Sequence, residues 1–426
     1  MSSVINNSNA NSAIVQTLDA SVSKRNPQIY STKEIYPAHS MTYVKNEKTN
    51  GSVTSGNSIN FNLNKYGIAS QILLHLEKDV VTNATPPVAD TAATLHNGDI
   101  FTIIKSIELL SSSRVISTLT SNDLMAQFSD MSQDEYNVVF QKAINVGNAA
   151  NANGKFVFVL PLVFGLFKDI NTQPNLSFVE PMSLRVNFGI VNNYLLATAD
   201  TSVASLNDLN CYLQVRYKAY PEASVAEVID QNYSEPELNQ LSTRFYDENS
   251  IVKTITAAAG ADTAIATDEV DIDLKNTDAV TDFYVVIRQK LEGGQVLAVN
   301  GNNSPFSINS VKFTGSGQDI LDLTEDELAY SRLSDNGNAV FPLDVAGSTF
   351  GITNVVKIQT GIVNKYAMSN CFSLREINAP RITINYNTPL VKAGKSTTYE
   401  VSVVEDCLAI YSTSSATGRQ VLSLTN

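Results

Sequence analysis

Few of the residue types that usually carry catalysis or metal binding occur in this chain of 426 residues. Histidine is present three times, as His39, His75 and His96, and is absent from the second half of the chain. A metal-dependent oxidation site needs two or three imidazoles and a carboxylate that converge on one point. His75 lies within an apolar run, which is more typical of a packed strand than of a metal ligand. The pattern disfavours a metal site.

Acidic residues form two clusters that resemble the paired carboxylates of general acid–base catalysis. Asp271 and Asp273 alternate with apolar residues over 270–274, which is the pattern of a strand with one solvent face. The cluster Thr324-Glu325-Asp326-Glu327 is better explained as a helix start, where the helix dipole favours carboxylates. Neither cluster predicts catalysis.

Glycine and cysteine also give no binding motif. Gly293-Gly294 and Gly315-Ser316-Gly317 lack the lysine of a phosphate-binding loop and predict turns. Cys211, Cys371 and Cys407 are odd in number and have no C-x-x-C spacing, so we expect buried free thiols rather than disulfides or a zinc site. We predict no enzymatic activity, no cofactor and no metal.

Composition narrows the class of protein further. Hydrophobic residues make up 43% of the chain, without a run of 18 apolar residues, which predicts a soluble globular protein without a membrane span. The net charge is −13 and no block of lysine and arginine stands out, so direct nucleic-acid binding is not expected. The N-terminus has no charged start followed by an apolar stretch, which predicts folding in a cytoplasm.

The second half of the chain repeats the first half, element by element. The matching pairs are 70–77 with 281–288, 104–109 with 308–313, and 184–188 with 382–386, at offsets of 211, 204 and 198 residues. The offsets drift as loop insertions would make them, which predicts two copies of one β domain of roughly 180 residues. No catalytic cluster is duplicated with it, which favours a structural role.

The predicted elements are short strands with polar loops between them, typical of antiparallel sandwiches. Tyr66-Gly67 predicts a turn that joins 59–63 and 72–76 as an antiparallel pair. The strands are predicted at 59–63, 72–76, 101–110, 156–160, 183–190, 211–217, 270–274, 283–287, 308–313, 355–359, 382–386 and 399–411. The predicted divisions are an N-terminal arm at 1–40, a first sandwich at 41–222, a connector at 223–250 and a second sandwich at 251–426.

Each copy also contains a predicted helical excursion. Ser132 and Glu135 form an S-x-x-E capping box, and Thr324 and Glu327 form the same box in the second copy. The first helix would keep one apolar face, made by Tyr136, Val139, Phe140 and Ala143. The fold class is therefore all-β, with two tandem antiparallel sandwiches and short helical excursions.

The N-terminal arm contains one amphipathic pattern. Ile14, Leu18 and Val22 fall at i, i+4 and i+8, and Lys24 and Arg25 follow them. Such a helix would dock on a neighbouring subunit or surface. The alternative is a frayed tail with accidental spacing.

Four stretches of the sequence, taken in order, carry a likeness to a known family. They are Ile103 to Leu109 through Arg114-Val115-Ile116; Val159 to Phe164 with Pro174, Pro181 and Leu184 to Phe188; Phe372-Ser373-Leu374-Arg375 with Ile382 to Tyr386; and Tyr399 to Val403 through Leu408 to Tyr411, followed by Gly418. Over residues 55 to 426 their order resembles the double jelly-roll major capsid proteins of icosahedral DNA viruses, including tectivirus-like and corticovirus-like phages and the large nucleocytoplasmic viruses.

The resemblance implies two jelly rolls in one chain and a homotrimer that presents six similar wedges to a pseudo-hexagonal lattice in the virion. The first roll of one subunit would meet the second roll of the next. Residues 372–375 would lie in a strand, and the arm would lie on the inner side, where it makes at most a weak contact with an internal membrane. The long loops would form towers and contacts with neighbouring capsomers and with minor capsid or penton proteins; they are 82–99, 145–155, 192–208, 292–306 and 334–350.

Two alternatives from other classes remain open at this point. One is a virion or surface attachment protein that binds glycans through the loops of its β-sandwiches. Glycan binding by such a protein would not require duplication of the whole sandwich with matching helical excursions. The other is a two-domain cupin-like or carbohydrate-active enzyme, which the scarcity of histidine disfavours.

Overall fold

Two β-sandwiches follow each other along the chain in the computed structural model of the protein. The structure describes residues 41–48, 53–54, 56–65, 67–79, 94–95, 103–129, 155–168, 176, 179–189, 195–196, 209–219, 240–274, 280–290, 307–328, 353–359, 373–388, 391, 393–394, 396–415 and 420–425. Within these ranges, no helix is long and apolar enough to cross a bilayer.

The first sandwich consists of two four-stranded antiparallel sheets. Its strands are β1 (Met41–Lys48), β2 (Ser58–Asn62), β3 (Ile68–Asp79), β5 (Ile104–Ser111), β6 (Arg114–Thr120), β7 (Lys155–Pro161), β8 (Met182–Phe188) and β10 (Asn210–Ala219). We call the sheet with the order β1-β10-β3-β7 the first lateral sheet; the opposing sheet has the order β2-β8-β5-β6. Two short strands in the long loops, β4 (Thr94–Leu95) and β9 (Leu195–Leu196), pair with each other.

The second sandwich repeats this arrangement. Its strands are β11 (Gln240–Thr256), β12 (Thr267–Asp273), β13 (Val280–Lys290), β14 (Ser307–Gly315), β15 (Gln318–Thr324), β16 (Thr353–Gln359), β17 (Arg381–Asn387), β18 (Ser396–Ser415) and β19 (Gln420–Thr425). The second lateral sheet has the order β11-β18-β13-β16, with β19 added to β18, and the opposing sheet has the order β12-β17-β14-β15. Every strand therefore has a counterpart in the same place of the other sandwich, apart from β19 and the β4–β9 pair.

The repeat extends to the backbone of the turns. Ser112 and Ser113, between β5 and β6, have φ angles of 46° and 74°. Ser316 and Gly317, at the same offset of 204 residues, have φ angles of 53° and 74° between β14 and β15. Two consecutive left-handed residues match the twist of a tight hairpin. The predicted all-β fold of two copies and the predicted turn at Gly315-Ser316-Gly317 are confirmed.

Helices are short and occur where the chain leaves a sandwich. Helix α1 (Ser121–Ser129) follows β6 directly, and α2 (Gly165–Lys168) follows β7. One helical turn at 325–328 follows β15 in the same way that α1 follows β6. The predicted first helix, from Ser132 to Ala143, lies outside the described residues.

The alternation of apolar and polar residues determines which side chains enter each core. In β8 and β17, every second side chain is buried and the residues between them are half-buried or exposed. The two resulting cores are separate clusters, one centred on residues such as Leu74, Ile107 and Val186 and the other on Val285, Ile384 and Val401.

Two local predictions are wrong. The turn at Gly67 does not make a hairpin, because β2 pairs with β8 and β3 pairs with β10 and β7 in the other sheet. The chain crosses between the sheets there, with Gly67 at a φ of 84°. Residues Leu374–Glu376 form a 3-10 turn rather than a strand, anchored by Leu374, which is fully buried.

Part of the predicted connector lies in a strand of the second lateral sheet. Residues 240–250, inside the predicted connector, form the first part of β11 and pair residue by residue with β18. The division of the chain into arm, sandwiches and connector otherwise stays a prediction.

Candidate interdomain interface

Polar and charged side chains are buried where α1 of the first sandwich meets the second lateral sheet. Ser121, Asn122 and Asp123 at the start of α1 are each at most 2% exposed. They lie against the sheet face that points away from the second core. The interface therefore joins the two sandwiches within one chain.

The apolar part of this interface is built by strands that are buried on both faces. In β13, Phe283 and Val285 enter the second core, whereas Tyr284 and Val286 belong to the buried cluster of the first sandwich. Val404 of β18 joins them in that cluster. Burial on both faces explains why β13 is a continuous apolar run rather than an alternating one.

Asn122 is the centre of the polar network. Its side-chain Nδ2 donates to Glu248 Oε1 at 2.6 Å, to Ser402 Oγ at 2.8 Å and to Glu400 Oε2 at 3.3 Å. Thr120 Oγ1 donates to the other oxygen of Glu248 at 2.7 Å. Hydrogen bonds to ionised acceptors are about twice as strong as neutral ones. One amide thus links α1 to two strands of the other sandwich.

Asp123 and Thr120 cap the start of α1 reciprocally. The Thr120 backbone N–H donates to Asp123 Oδ2 at 2.7 Å, and the Asp123 N–H donates to Thr120 Oγ1 at 3.1 Å. Burial, followed by the negative charge of Glu248, raises the pKa of the Asp123 carboxyl to about 7, against the opposing hydrogen bonds from Thr120. Its second oxygen, Oδ1, is buried and has no hydrogen-bond partner among the described residues.

A single arginine offsets part of the negative charge. Arg288 Nη2 lies 3.3 Å from Glu400 Oε2, and both side chains are nearly buried. Glu248 accepts hydrogen bonds from two neutral donors, Asn122 and Thr120, and Asp123 accepts one from the Thr120 N–H. A network of this kind fixes one orientation of two packed elements, because any other orientation leaves buried charges unpaired.

No protein-family model and no curated protein sequence matches the chain. Solved structures do match it over nearly its whole length. A chain of a quasi-atomic model of the PBCV-1 virus capsid superposes with a TM-score of 0.62 at 12% identity, over 93% of this chain and 100% of its own. The Faustovirus major capsid protein superposes with a TM-score of 0.52 at 9% identity, over 88% and 91%. The chain has the double jelly-roll fold.

Several of the residues singled out in the sequence lie in parts of the chain that the structure does not describe. The arm residues Ile14, Leu18, Val22, Lys24 and Arg25 lie outside the described residues, as do His39, His96 and Cys371. Their predicted roles stay predictions.

His75 stands in β3 on the outer face of the first lateral sheet. Its ring stacks on Tyr212, with centroids 4.6 Å apart and planes 12° apart. Burial lowers its pKa, against a hydrogen bond with Gln214. Among the described residues, no three His, Cys, Asp or Glu side chains lie together as a metal site would require.

The acidic residues and thiols lie where the pattern predicts. Asp271 and Asp273 are on the solvent face of β12, where both pair with Arg381. Cys211 and Cys407 are buried free thiols, and burial raises the pKa of Cys211 to about 12.

The second capping box also forms as predicted. Both the backbone N–H and the hydroxyl of Thr324 donate to Glu327 Oε2 at 2.9 Å. The corresponding box of the first copy is Thr120 with Asp123, not Ser132 with Glu135. The offset of 204 residues that relates 104–109 to 308–313 also relates these two boxes, and this signal could have located α1.

Proposed function

We propose that the protein is a major capsid protein that assembles as homotrimers into the shell of an icosahedral DNA virus. The observation that carries this proposal is the likeness to capsid chains across both jelly rolls, with 100% of the PBCV-1 capsid chain covered. Two similar rolls in each of three subunits make six similar wedges, which tile a pseudo-hexagonal lattice. The function is mechanical, and the protein is located in the virion after synthesis in the host cytoplasm.

The interdomain interface supports this function. Each subunit must keep its two rolls in one orientation, because an error in the angle between them accumulates around a closed ring. The buried network of Asn122, Glu248 and Glu400 opposes rotation of one roll against the other, since rotation would expose or unpair these groups.

Electron microscopy of the purified protein tests the proposal. We expect single particles with a pseudo-hexagonal outline and threefold symmetry, and hexagonal sheets or closed shells at high concentration with the neighbouring penton and minor capsid proteins. Particles with the dimensions of one double jelly roll under all conditions would contradict it.

The N-terminal arm has a separate role in the proposal. Its apolar residues Ile14, Leu18 and Val22, followed by Lys24 and Arg25, contact the inner side of the shell or an internal membrane. Deletion of residues 1–25 should leave the trimer intact and impair shell assembly, because the predicted arm precedes the strands of both sandwiches in the sequence. An insoluble or monomeric deletion variant, measured by gel filtration, would contradict this role.

A further inference from the structure

Asp123 is an ionisable group buried in the joint between the two rolls, by which we mean the contact of the start of α1 with the second lateral sheet. It is 2% exposed. Its Oδ2 accepts the Thr120 N–H at 2.7 Å, and its buried Oδ1 has no hydrogen-bond partner among the described residues. A buried carboxylate is costly unless it is hydrogen-bonded and paired with a cation. This geometry therefore favours the protonated carboxyl.

The charged side chains on the sheet face that meets α1 are mainly acidic. The described ones are Glu248 of β11, Glu400 and Asp406 of β18, Asp282 and Arg288 of β13, and Lys357 of β16. Both cations have carboxylate partners on the same sheet. Arg288 lies 3.3 Å from Glu400, and Lys357 lies 3.5 Å from Asp282. An ionised Asp123 would therefore add a negative charge to a face that is already acidic.

The first sandwich gives Asp123 no salt-bridge partner among its described residues. Asp123 is the only charged residue of α1, and β6, which leads into α1, carries only Arg114 at its far end. Lys105 of β5 is exposed. Burial is the largest cause that raises the pKa of Asp123 to about 7, and the charges of Glu248 and Asp247 raise it further.

The apolar part of the joint does not change its charge where carboxylates titrate. Leu124 and Met125 of α1 are buried in one cluster with Tyr284 and Val286 of β13 and Val404 of β18. This contact keeps the two rolls together when the first turn of α1 detaches. The joint thus combines a polar edge that can open with an apolar part that holds.

We infer that the joint between the two rolls is pH-sensitive: its polar edge is closed while Asp123 carries a proton and opens more often once Asp123 ionises. In the open state, the first turn of α1 has left the second lateral sheet and water reaches the carboxylate. The hydrogen bonds from Asn122 to Glu248 and Ser402 oppose opening at every pH, so ionisation shifts a population and does not separate the rolls. The inference concerns contacts within one chain and does not depend on the proposed trimer.

The direction of the pH effect follows from the two states of Asp123. The pKa is about 7 in the closed joint, and water returns it toward that of an ordinary aspartate in the open joint. Opening therefore releases a proton below pH 7, and its equilibrium constant rises by up to about tenfold per pH unit until it levels off near pH 7. A subunit holds its two rolls most firmly at acidic pH.

Hydrogen exchange of the full-length protein, followed by mass spectrometry from pH 5 to 8, tests this inference. Rates are corrected for the pH dependence of exchange in unstructured peptides. We expect the amides at the start of α1 to lose protection by up to about tenfold per pH unit up to pH 7, and to change little above it. They should exchange faster than the amides of β17 at every pH, because the opening is local.

Three variants connect the effect to Asp123. Asp123→Asn should abolish the pH dependence at α1, and Glu248→Gln should move the level part of the profile to lower pH, because it removes a neighbouring negative charge. Glu327→Gln, in the exposed capping box of the second copy, should leave the wild-type profile unchanged.

Two results would overturn the inference. One is a protection of α1 in the wild type that does not depend on pH, or that is lost only together with β17. The other is an Asp123→Asn variant with the wild-type profile. If that variant does not fold, a Glu248→Gln profile that coincides with the wild type has the same consequence. Light scattering of the wild type tests the proposed trimer separately.

Discussion

The same capping box occurs twice in this chain, once buried and once exposed. In the first copy, Thr120 and Asp123 open α1 beneath the second lateral sheet. In the second copy, Thr324 and Glu327 open a single exposed turn. Burial raises the pKa of Asp123 to about 7, whereas the hydrogen bonds from Thr324 lower the pKa of Glu327.

The comparison shows that environment, not local sequence, decides what a repeated element does. Both boxes satisfy the free N–H groups of a helix start. In the first copy the flanking residues also hold two domains together. In the second copy residues 324–327 are exposed.

The largest difference in stability loss between matching substitutions in the two copies should appear at Tyr284, in the apolar part of the interdomain interface. Tyr284→Ala removes a fully buried ring that links the second sheet to the first sandwich, and we expect a loss of about 3–5 kcal/mol in the free energy of unfolding. Leu73→Ala, at the corresponding half-buried position, should cost less than about 1 kcal/mol in the dissociated chain. Urea denaturation at low concentration measures both; equal losses would contradict the assigned difference in burial.

The polar centre of the interface should also be sensitive to charge. Asn122→Asp replaces a donor to Glu248 and Ser402 with a buried carboxylate, and we expect a loss of about 3 kcal/mol at pH 8. The matched control is Asp326→Asn, which should change stability by less than about 0.5 kcal/mol in the dissociated chain. An Asn122→Asp variant as stable as the wild type would show that the network does not hold the domains.

The two boxes should respond to pH with opposite signs. The folded chain keeps a proton on Asp123 between about pH 4 and 7, where an unfolded aspartate has lost it. Asp123 therefore favours the folded state at low pH, and this contribution is lost as the pH rises through about 7. Glu327, with its lowered pKa, contributes stability at neutral pH that is lost as the pH falls through its folded pKa.

Asp123→Asn separates the two contributions. The amide keeps an acceptor for the Thr120 N–H and has no charge to bury. We expect this variant to be more stable than the wild type at pH 8 and to lose about 2 kcal/mol of pH dependence between pH 5 and 8. Melting curves across this range measure it, with Glu327→Gln as the control. A wild-type stability that rises steadily over the same range would contradict the assignment.

The smallest difference in stability loss is expected between the two capping threonines, Thr120 and Thr324. Thr120→Val removes the acceptor for the Asp123 N–H and the donor to Glu248, which should cost about 1.5–2 kcal/mol. Thr324→Val removes only an exposed cap and should cost about 0.5 kcal/mol. Thermal melts measure both losses. Their ratio shows how much of the stability contributed by Thr120 comes from its interdomain contact with Glu248 and how much comes from capping the helix.

Sequence patterns were sufficient for the elements whose side chains alternate. Strands such as β17, where Ile382, Ile384 and Tyr386 are buried, follow from periodicity alone. The repeat then fixes their order, since equal elements at matching offsets must occupy equal places.

The interface could not be predicted in the same way. Asn122 is separated from its acceptors Glu248 and Ser402 by 126 and 280 residues, and no local pattern specifies such a contact. A polar triplet after β6 is typical of a surface turn, and only the fold shows that it is buried. Likewise, Gly67 is compatible with a hairpin or with a crossing between sheets, and the choice depends on the partners of β2 and β3.

The mass of the purified protein in solution tests the proposed trimer. Light scattering behind a sizing column should give about 139 kDa, which is three chains of 46.2 kDa. This result would establish the trimer on which the capsid proposal depends. A stable species of 46.2 kDa at all concentrations would contradict the account.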